Sequence, residues 1–428
     1  MTVTATSQPP TLLSSRLDDL RTRWKALPGT DHQVLSGLRQ QALELLERSG
    51  LPTSKTEEYK HLPVSRLLAG AQDQLAEGTW LTLNDTLIPG FDCHTIVLRD
   101  GRIDRKESSF PQSGLKVSSL RDLAKSEPDS LADLFRVSND PFANWNLAAW
   151  EDGLHIEGVC DKPVFVVHLN SGKLLHTRVV VRVPDNGELS LVERFVTCPG
   201  ATGITNHLAS VVGGQSSKLT WVTVQDDTAT SHLVNNITVH QKKSSVLNVH
   251  THTLGGALVR NNLAVSLDGE QIESHLYGLY VLSGRTLADN HTVVDHRMPN
   301  SVSNELYKGI MDGDSRGVFN GKIYVRPHAQ KTNAFQSNRN IVLSETAQVH
   351  TKPQLEIWAD DVKCSHGCTS GQLDDEALFY LRSRGITREG ARAMLLEAFA
   401  GDVLDRLPFE PVRNFLHGKI MKLLHTGS

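Results

Sequence analysis

Leu219-Thr220-Trp221-Val222-Thr223-Val224 is a short run of β-branched and aromatic residues followed by Asp226-Asp227. Such a run reads as a β-strand ending in a turn. The same unit recurs on both sides. Val164-Phe165-Val166-Val167 and Val179-Val180-Val181-Arg182-Val183 precede it; Ser245-Val246-Leu247-Asn248-Val249 and Leu263-Ala264-Val265-Ser266-Leu267 follow. From about Leu154 to Ile357 no stretch shows a persuasive helical period. About two hundred residues of short strands predict a sandwich, a barrel or a β-solenoid. The units recur at irregular spacings of about ten to twenty residues without a clean repeat motif. A solenoid fits better, because a single sandwich rarely needs so many strands.

Helical patterns flank this mainly β core. Leu17, Leu20, Trp24 and Leu27 fall at three- and four-residue steps, with Ser14 or Ser15 as a cap. A second stripe is Leu35, Leu38, Ala42, Leu45 and Leu46, closed by Gly50. The signal is mixed between Leu51 and Leu115, where Thr95-Ile96-Val97-Leu98 reads as a strand before the Asp100-Gly101 turn. Leu120 to Trp150 reads as helical, with a break at Asp140-Pro141. In the tail, Asp374 caps a helix that ends at Gly385, and Thr387 caps one with the stripe Ala391, Met394, Leu395, Ala398 and Phe399. A last helix after Pro411 carries Val412, Leu416, Ile420, Leu423 and Leu424. These stripes are expected to bury on the solenoid end, on each other or on a partner. The resulting division is a mainly helical 1–115, a helical lead-in 116–153, a β core 154–366 and a C-terminal helical domain 367–428.

Composition narrows the function classes. Lys and Arg total 44 against 48 Asp and Glu, a net charge of -4, which offers no basic face for nucleic acid. No apolar run approaches the ~18 residues of a membrane span. Met1 to Pro10 carries no basic or apolar signal region, so a disordered start and a cytoplasmic location are expected. The 5 cysteines are odd in number and widely spaced, which argues for reduced thiols rather than a disulfide framework.

Cys364, His366 and Cys368 form an i, i+2, i+4 series at the end of the strand region. On a strand these side chains share a face about 7 Å apart, and a thiolate beside an imidazole can ligate iron, zinc or copper. The same pair also fits a buried thiol next to a hydrogen-bonded histidine, and Gly367 could break the strand before Cys368. Of 19 histidines, 14 lie between His155 and His366. His250 and His252 share a strand face and His291 and His296 flank a loop; both pairs read as ligand candidates or as solvent-facing ladders. Gly317-Val318-Phe319-Asn320-Gly321-Lys322-Ile323 is one residue short of a phosphate loop and lacks the metal-binding hydroxyl, so it is no ATP site. No G-x-S-x-G elbow is present.

Three stretches carry a family resemblance. Leu355-Glu356-Ile357, Asp361-Val362-Lys363-Cys364-Ser365-His366-Gly367 and Leu378-Phe379-Tyr380-Leu381-Arg382-Ser383-Arg384-Gly385 resemble the C-terminal signature of the SufB/SufD family. This family supplies scaffold-type subunits of the SUF iron–sulfur cluster assembly machinery. Gly50-Leu51-Pro52-Thr53-Ser54-Lys55-Thr56-Glu57-Glu58-Tyr59-Lys60 resembles its N-terminal segment. Asp140-Pro141-Phe142-Ala143 with Asn146-Leu147-Ala148-Ala149 and Asp152-Gly153 resembles the entry into its core. The resemblance spans nearly the whole chain. It is to the SufD branch, because the N-terminal cysteine motif and the Cys–acidic–His–Glu arrangement of SufB are missing.

The resemblance implies a right-handed parallel β-helix between helical N- and C-terminal domains. It implies a heterodimer with SufB through the β-helix ends and docking of the ATPase SufC on the C-terminal helices, with Ala391, Met394, Leu395 and Phe399 as partner contacts. His366 and Cys364 match family residues at the SufB interface, where iron or a nascent cluster is bound transiently and shared with SufB. Cys368 stands where the family has a small residue and is a third candidate ligand. The chain would then be a non-catalytic assembly subunit, with ATP hydrolysis in SufC and room in the complex for a flavin. An open β-helix end would also allow a homodimer when SufB is missing. Two rivals are an adaptor that binds no metal and a carbohydrate-active β-helix protein, whose groove would be lined with carboxylates.

Overall fold

The computed structural model describes residue 18 and residues 33–69, 81–111, 113–132 and 134–426. Met1–Pro10 and the stripe Leu17, Leu20, Trp24 and Leu27 lie outside the described residues. From Leu154–Gly158 onward, strands alternate between two sheets. Sheet A contains Val164–Asn170, Glu188–Thr197, Lys218–Gln225 and every second strand up to Thr332–Val342 and Val362–Gly371. Sheet B contains the strands between them. All of these pairings are parallel, so the core is a parallel β-solenoid of about eight coils. Leu154 lies opposite Val179 and Arg316 opposite Gln348, so a coil takes 25 to 32 residues.

Six successive passages from sheet B to sheet A, from the one after Leu174–Val183 to the one after Arg316–Val325, each turn on one non-glycine residue in the left-handed region. These are Asn186, Ser216, Ser244, Gln271, Asn300 and Lys331, with φ between +54° and +64°. The turns stack: the N–H groups of Asn186, Ser216, Ser244 and Asn300 donate to Gln215, Lys243, Glu270 and Gln330 one coil on, at 2.8–2.9 Å. A second ladder thus runs along the solenoid edge and satisfies backbone groups that a lone turn would leave to water.

Inward-facing residues of both sheets form the main core, from Ile96 and Val166 through Trp221 and Val249 to Tyr280, Tyr307 and Phe319. Gly278 and Gly309 make room for the tyrosines, because a Cβ on either would lie 2.2 Å from the ring of Tyr307 or Tyr280. The outer faces are covered as well. The N-terminal helices Gln33–Ser49 and Pro141–Ala149 pack with Val180, Val234 and Leu258 of sheet B. The expected stripe holds in the first of them, with Leu35, Ala42 and Leu46 buried and Gly50 at φ +67° closing it. Pro141 opens the second, where Asp140 accepts from the Ala143 N–H.

The C-terminal helices Arg388–Leu404 and Glu410–Thr426 cover sheet A, burying Leu396, Ala400, Val403, Leu404, Val412, Leu416 and Ile420 against Val167, Val192, Val222 and Ile310. They therefore lie along the solenoid flank and not on its end. The buried stripe of the first is also turned from the expected one: Leu396 and Ala400 are buried, while Met394 and Ala398 are exposed. The buried Lys308 holds this helix through the Phe399 carbonyl at 3.0 Å and the Asp402 carboxylate.

The two solenoid ends differ. At the first, Arg102–Ile103 and Leu115–Ser119 pair antiparallel with the outermost strands of sheets A and B. The second ends in Val362–Gly371, which pairs only with Thr332–Val342 and is exposed from Ser365 to Gly371. An uncovered strand with one unpaired edge is a template for another chain. No helix of the described residues is long and apolar enough to cross a membrane.

Candidate functional site at the open solenoid end

Cys364, His366 and Cys368 lie on one unbroken strand opposite Ala334, Gln336 and Asn338. Gly367 does not interrupt it, and a Cβ there would meet nothing within 4 Å. By strand alternation the three side chains share the inward face. Cys364 packs against the main core and Cys368 lies against Thr351 Oγ1 across the coil. His366 and Cys368 are nevertheless exposed, because no further coil covers them. The result is a thiol, an imidazole and a thiol at the mouth of the solenoid.

Burial pushes the Cys364 thiol above its ordinary value, against a smaller pull from the Ala334 backbone. Ligation by Cys364 must therefore expel a proton, and a metal or a desolvating partner supplies the reason to do so. Three donors in a row on one strand cannot surround an ion. Their arrangement suits a site completed from outside the chain.

The register places Gln336 beneath His366 and Glu305 beneath Gln336. Gln336 Nε2 donates to Glu305 Oε2 at 2.7 Å, and the Gln336 Oε1 atom is buried without a partner. Burial pushes Glu305 up to about 7. These two residues were not singled out from the sequence; the signal was there in their alternation with Ala334 and Ser303, which puts polar groups at core positions. Because the folded state holds the Glu305 proton up to about pH 7 and the unfolded chain releases it near 4.5, stability falls as pH rises through that window. Glu305→Gln removes this dependence. Its stability relative to the parent should improve by about 3 kcal/mol between pH 4.5 and 8, read from urea unfolding at several pH values.

The other histidine candidates are placed differently. His250 and His252 are fully buried, and burial pushes both down to about 3. They face no solvent because the C-terminal helices and the solenoid interior enclose their strand. His291 and His296 flank no loop; both lie on Leu287–His296. His291 bonds Asp289 at 2.8 Å and Glu58 at 3.4 Å. Glu58 also takes Lys322 at 2.6 Å, and Tyr59 hydrogen-bonds Asp140 under the Arg260 guanidinium. The N-terminal motif around Glu57-Glu58-Tyr59 is thus a latch onto sheet B. Gly317–Ile323 lies within a strand, Arg316–Val325, with no helix to receive a phosphate.

Of the expected partner contacts, Ala391 is buried inside the chain, Leu395 and Phe399 are half-buried, and Met394 is exposed. The larger exposed groups nearby are Phe379 and Tyr380, on the helix Asp375–Ser383, which buries no residue of its own.

Residues 166–399 match the family model "SUF system FeS cluster assembly, SufBD core domain", and residues 20–157 match "SufBD protein N-terminal region". The chain is 30% identical over 415 residues to the iron-sulfur cluster assembly protein SufD of Escherichia coli, covering 95% of this chain and 97% of that one. It is 30% identical over 414 residues to the iron-sulfur cluster assembly SufBD family protein slr0076 of Synechocystis, covering 91% of each. A chloroplastic protein of Arabidopsis thaliana, ABCI7, is 33% identical over 252 residues, 58% of this chain and 52% of its own. With its core and N-terminal region both matched, the chain belongs to the SufBD family of SUF-system iron–sulfur cluster assembly proteins.

Proposed function

We propose that this chain is the SufD-type subunit of a SufB–SufC–SufD assembly complex. Its open solenoid end pairs with SufB, and its C-terminal helices dock the SufC ATPase. Iron or a nascent cluster is the cargo at the SufB interface. His366 would ligate as a neutral imidazole and Cys364 as a thiolate, with Cys368 beside them and the remaining ligands from SufB. ATP hydrolysis in SufC would change the spacing of the pair and expose or assemble this site. The observation that carries the proposal is the Cys364–His366–Cys368 face, exposed at His366 and Cys368, on a strand with one unpaired edge.

The test is a reconstituted complex carrying His366→Ala. Its native mass should stay that of one SufB, one SufD-type chain and two SufC. Its cluster formation should fall on the order of 10–100-fold, the scale seen when a metal ligand environment is disturbed. Wild-type cluster yield would sink the site assignment and favour an adaptor without metal. A chain that elutes alone when co-expressed with SufB and SufC would sink the pairing itself.

A further inference from the structure

Away from the open end, inside the first three coils, two imidazoles and a carboxylate converge: His168 on Val164–Asn170, Glu193 on Glu188–Thr197 and His207 on Ile204–Gly213. His168 Nε2 is 3.0 Å and His207 Nε2 is 3.6 Å from Glu193 Oε1. The donor atoms of all three lie within 4.8 Å of one another. None of the three side chains is more than 4% exposed.

The polar bookkeeping of this cluster does not close. Glu193 is a carboxylate in the solenoid interior whose ion-pair partners among the described residues are both histidines. The Trp221 indole N–H also faces this carboxylate without closing a hydrogen bond, and Glu193 Oε2, His207 Nε2 and the hydroxyl of the neighbouring Thr223 are all buried without a hydrogen-bond partner. Thr177 Oγ1 lies 2.9 Å from His207 Nδ1. If that nitrogen carries the proton and donates it to Thr177, the Nε2 lone pair is left aimed at Glu193, as in metal sites where a second group fixes the ligand tautomer. The His168 ring is stacked on Phe195 with centroids 4.4 Å apart, which fixes its plane. A four-coordinate ion with bonds of 2.0–2.1 Å separates its ligand atoms by about 3.3 Å. The observed 3.0 and 3.6 Å bracket that separation.

We propose that His168, Glu193 and His207 hold a divalent first-row transition ion inside the solenoid, separate from the cargo site at its end. Two imidazoles and one carboxylate suit zinc or ferrous iron. With the ligands enclosed, the ion is captured as the coils close and leaves only on unfolding. It then joins sheet A to sheet B across the interior, a structural role and not a cargo role.

The test is the metal content of the full-length chain purified from zinc-supplemented and from iron-supplemented cells and washed with chelator. The parent and His366→Ala should each retain about one ion per chain in at least one of the two media. Glu193→Gln and His207→Gln should retain less than a tenth of that. A second measurement covers variants that fold poorly: the parent, unfolded with chelator and refolded with cobalt(II), should show visible ligand-field bands, which a protein without an inner imidazole–carboxylate site would not. A parent with no ion from either medium and no cobalt bands would overturn the proposal. So would equal ion content in the parent and a folded Glu193→Gln. Loss of the ion in His366→Ala alone would assign the metal to the open end.

Discussion

Asp226→Ala should cost the fold about 3–5 kcal/mol, because it strands a buried guanidinium. Arg194 and Asp226 form a two-point pair at 2.9 and 2.7 Å, with side chains 8% and 3% exposed. Burial pushes the Asp226 carboxyl up, but Arg194, followed by Lys419, holds it below the usual range, so it is ionised at neutral pH. The pair joins three parts of the chain. Arg194 projects from the outer face of sheet A, donates to the Thr86 carbonyl at 2.6 Å and lies under the Phe415 ring. Lys419, one turn further along the last helix, reaches Asp226 at 3.0 Å. Removing the carboxylate leaves the buried Arg194 guanidinium beside the part-exposed Lys419 ammonium with no anion between them. Arg194→Met combined with Asp226→Leu should lose much less, since an apolar pair of similar volume carries no stranded charge. Urea unfolding of the single and double variants decides the matter. A single-variant loss below about 1 kcal/mol, or a double variant as weak as the single, would mean that the charge is hydrated and that the helix is held by apolar packing alone.

The strands and caps were legible in the sequence for a physical reason: each is a local signal. Val164–Val167, Leu219–Val224 and Leu263–Leu267 all lie in strands, and Asp374 and Thr387 each cap the helix they precede. The repeat was hidden because its marker is a backbone conformation and not a residue type. Asn, Ser, Ser, Gln, Asn and Lys occupy the six equivalent left-handed turn positions, and only some of these favour it. The histidines were misplaced for a related reason. In a parallel solenoid both sheet faces are covered, so alternation no longer separates core from solvent. His207 and Glu193 look like surface residues in the sequence and are both fully buried. At the open end the opposite held. The Cys364–His366–Cys368 spacing needed only an intact strand, whereas Glu305 and Gln336 reach that site through register across three coils, which no local pattern encodes.

Phe379→Ala combined with Tyr380→Ala should weaken SufC binding on the order of 10²–10³-fold, because exposed aromatic anchors are worth about 2 kcal/mol each at an interface centre. Phe379 is 73% and Tyr380 56% exposed, on a helix that buries none of its residues in this chain, and Met394 on the next helix is exposed at 47%. Among the described residues the helix Asp375–Ser383 has its cap at Asp374 and packs mainly on its neighbour Arg388–Leu404. Nine residues are too few to be a stable helix alone. A partner that covers Phe379 and Tyr380 would supply the missing burial. The stability of the free chain should not change, since no core contact is lost. Calorimetric titration of the full-length variant with SufC, beside its melting curve, reads both quantities. The control is Trp358→Ala at the open end, which is 48% exposed and stacked on Tyr324. It should weaken pairing with SufB and leave SufC binding alone. If the double variant binds SufC within about threefold of the parent while Trp358→Ala does not, the ATPase docks on the solenoid end and the two partner surfaces are exchanged.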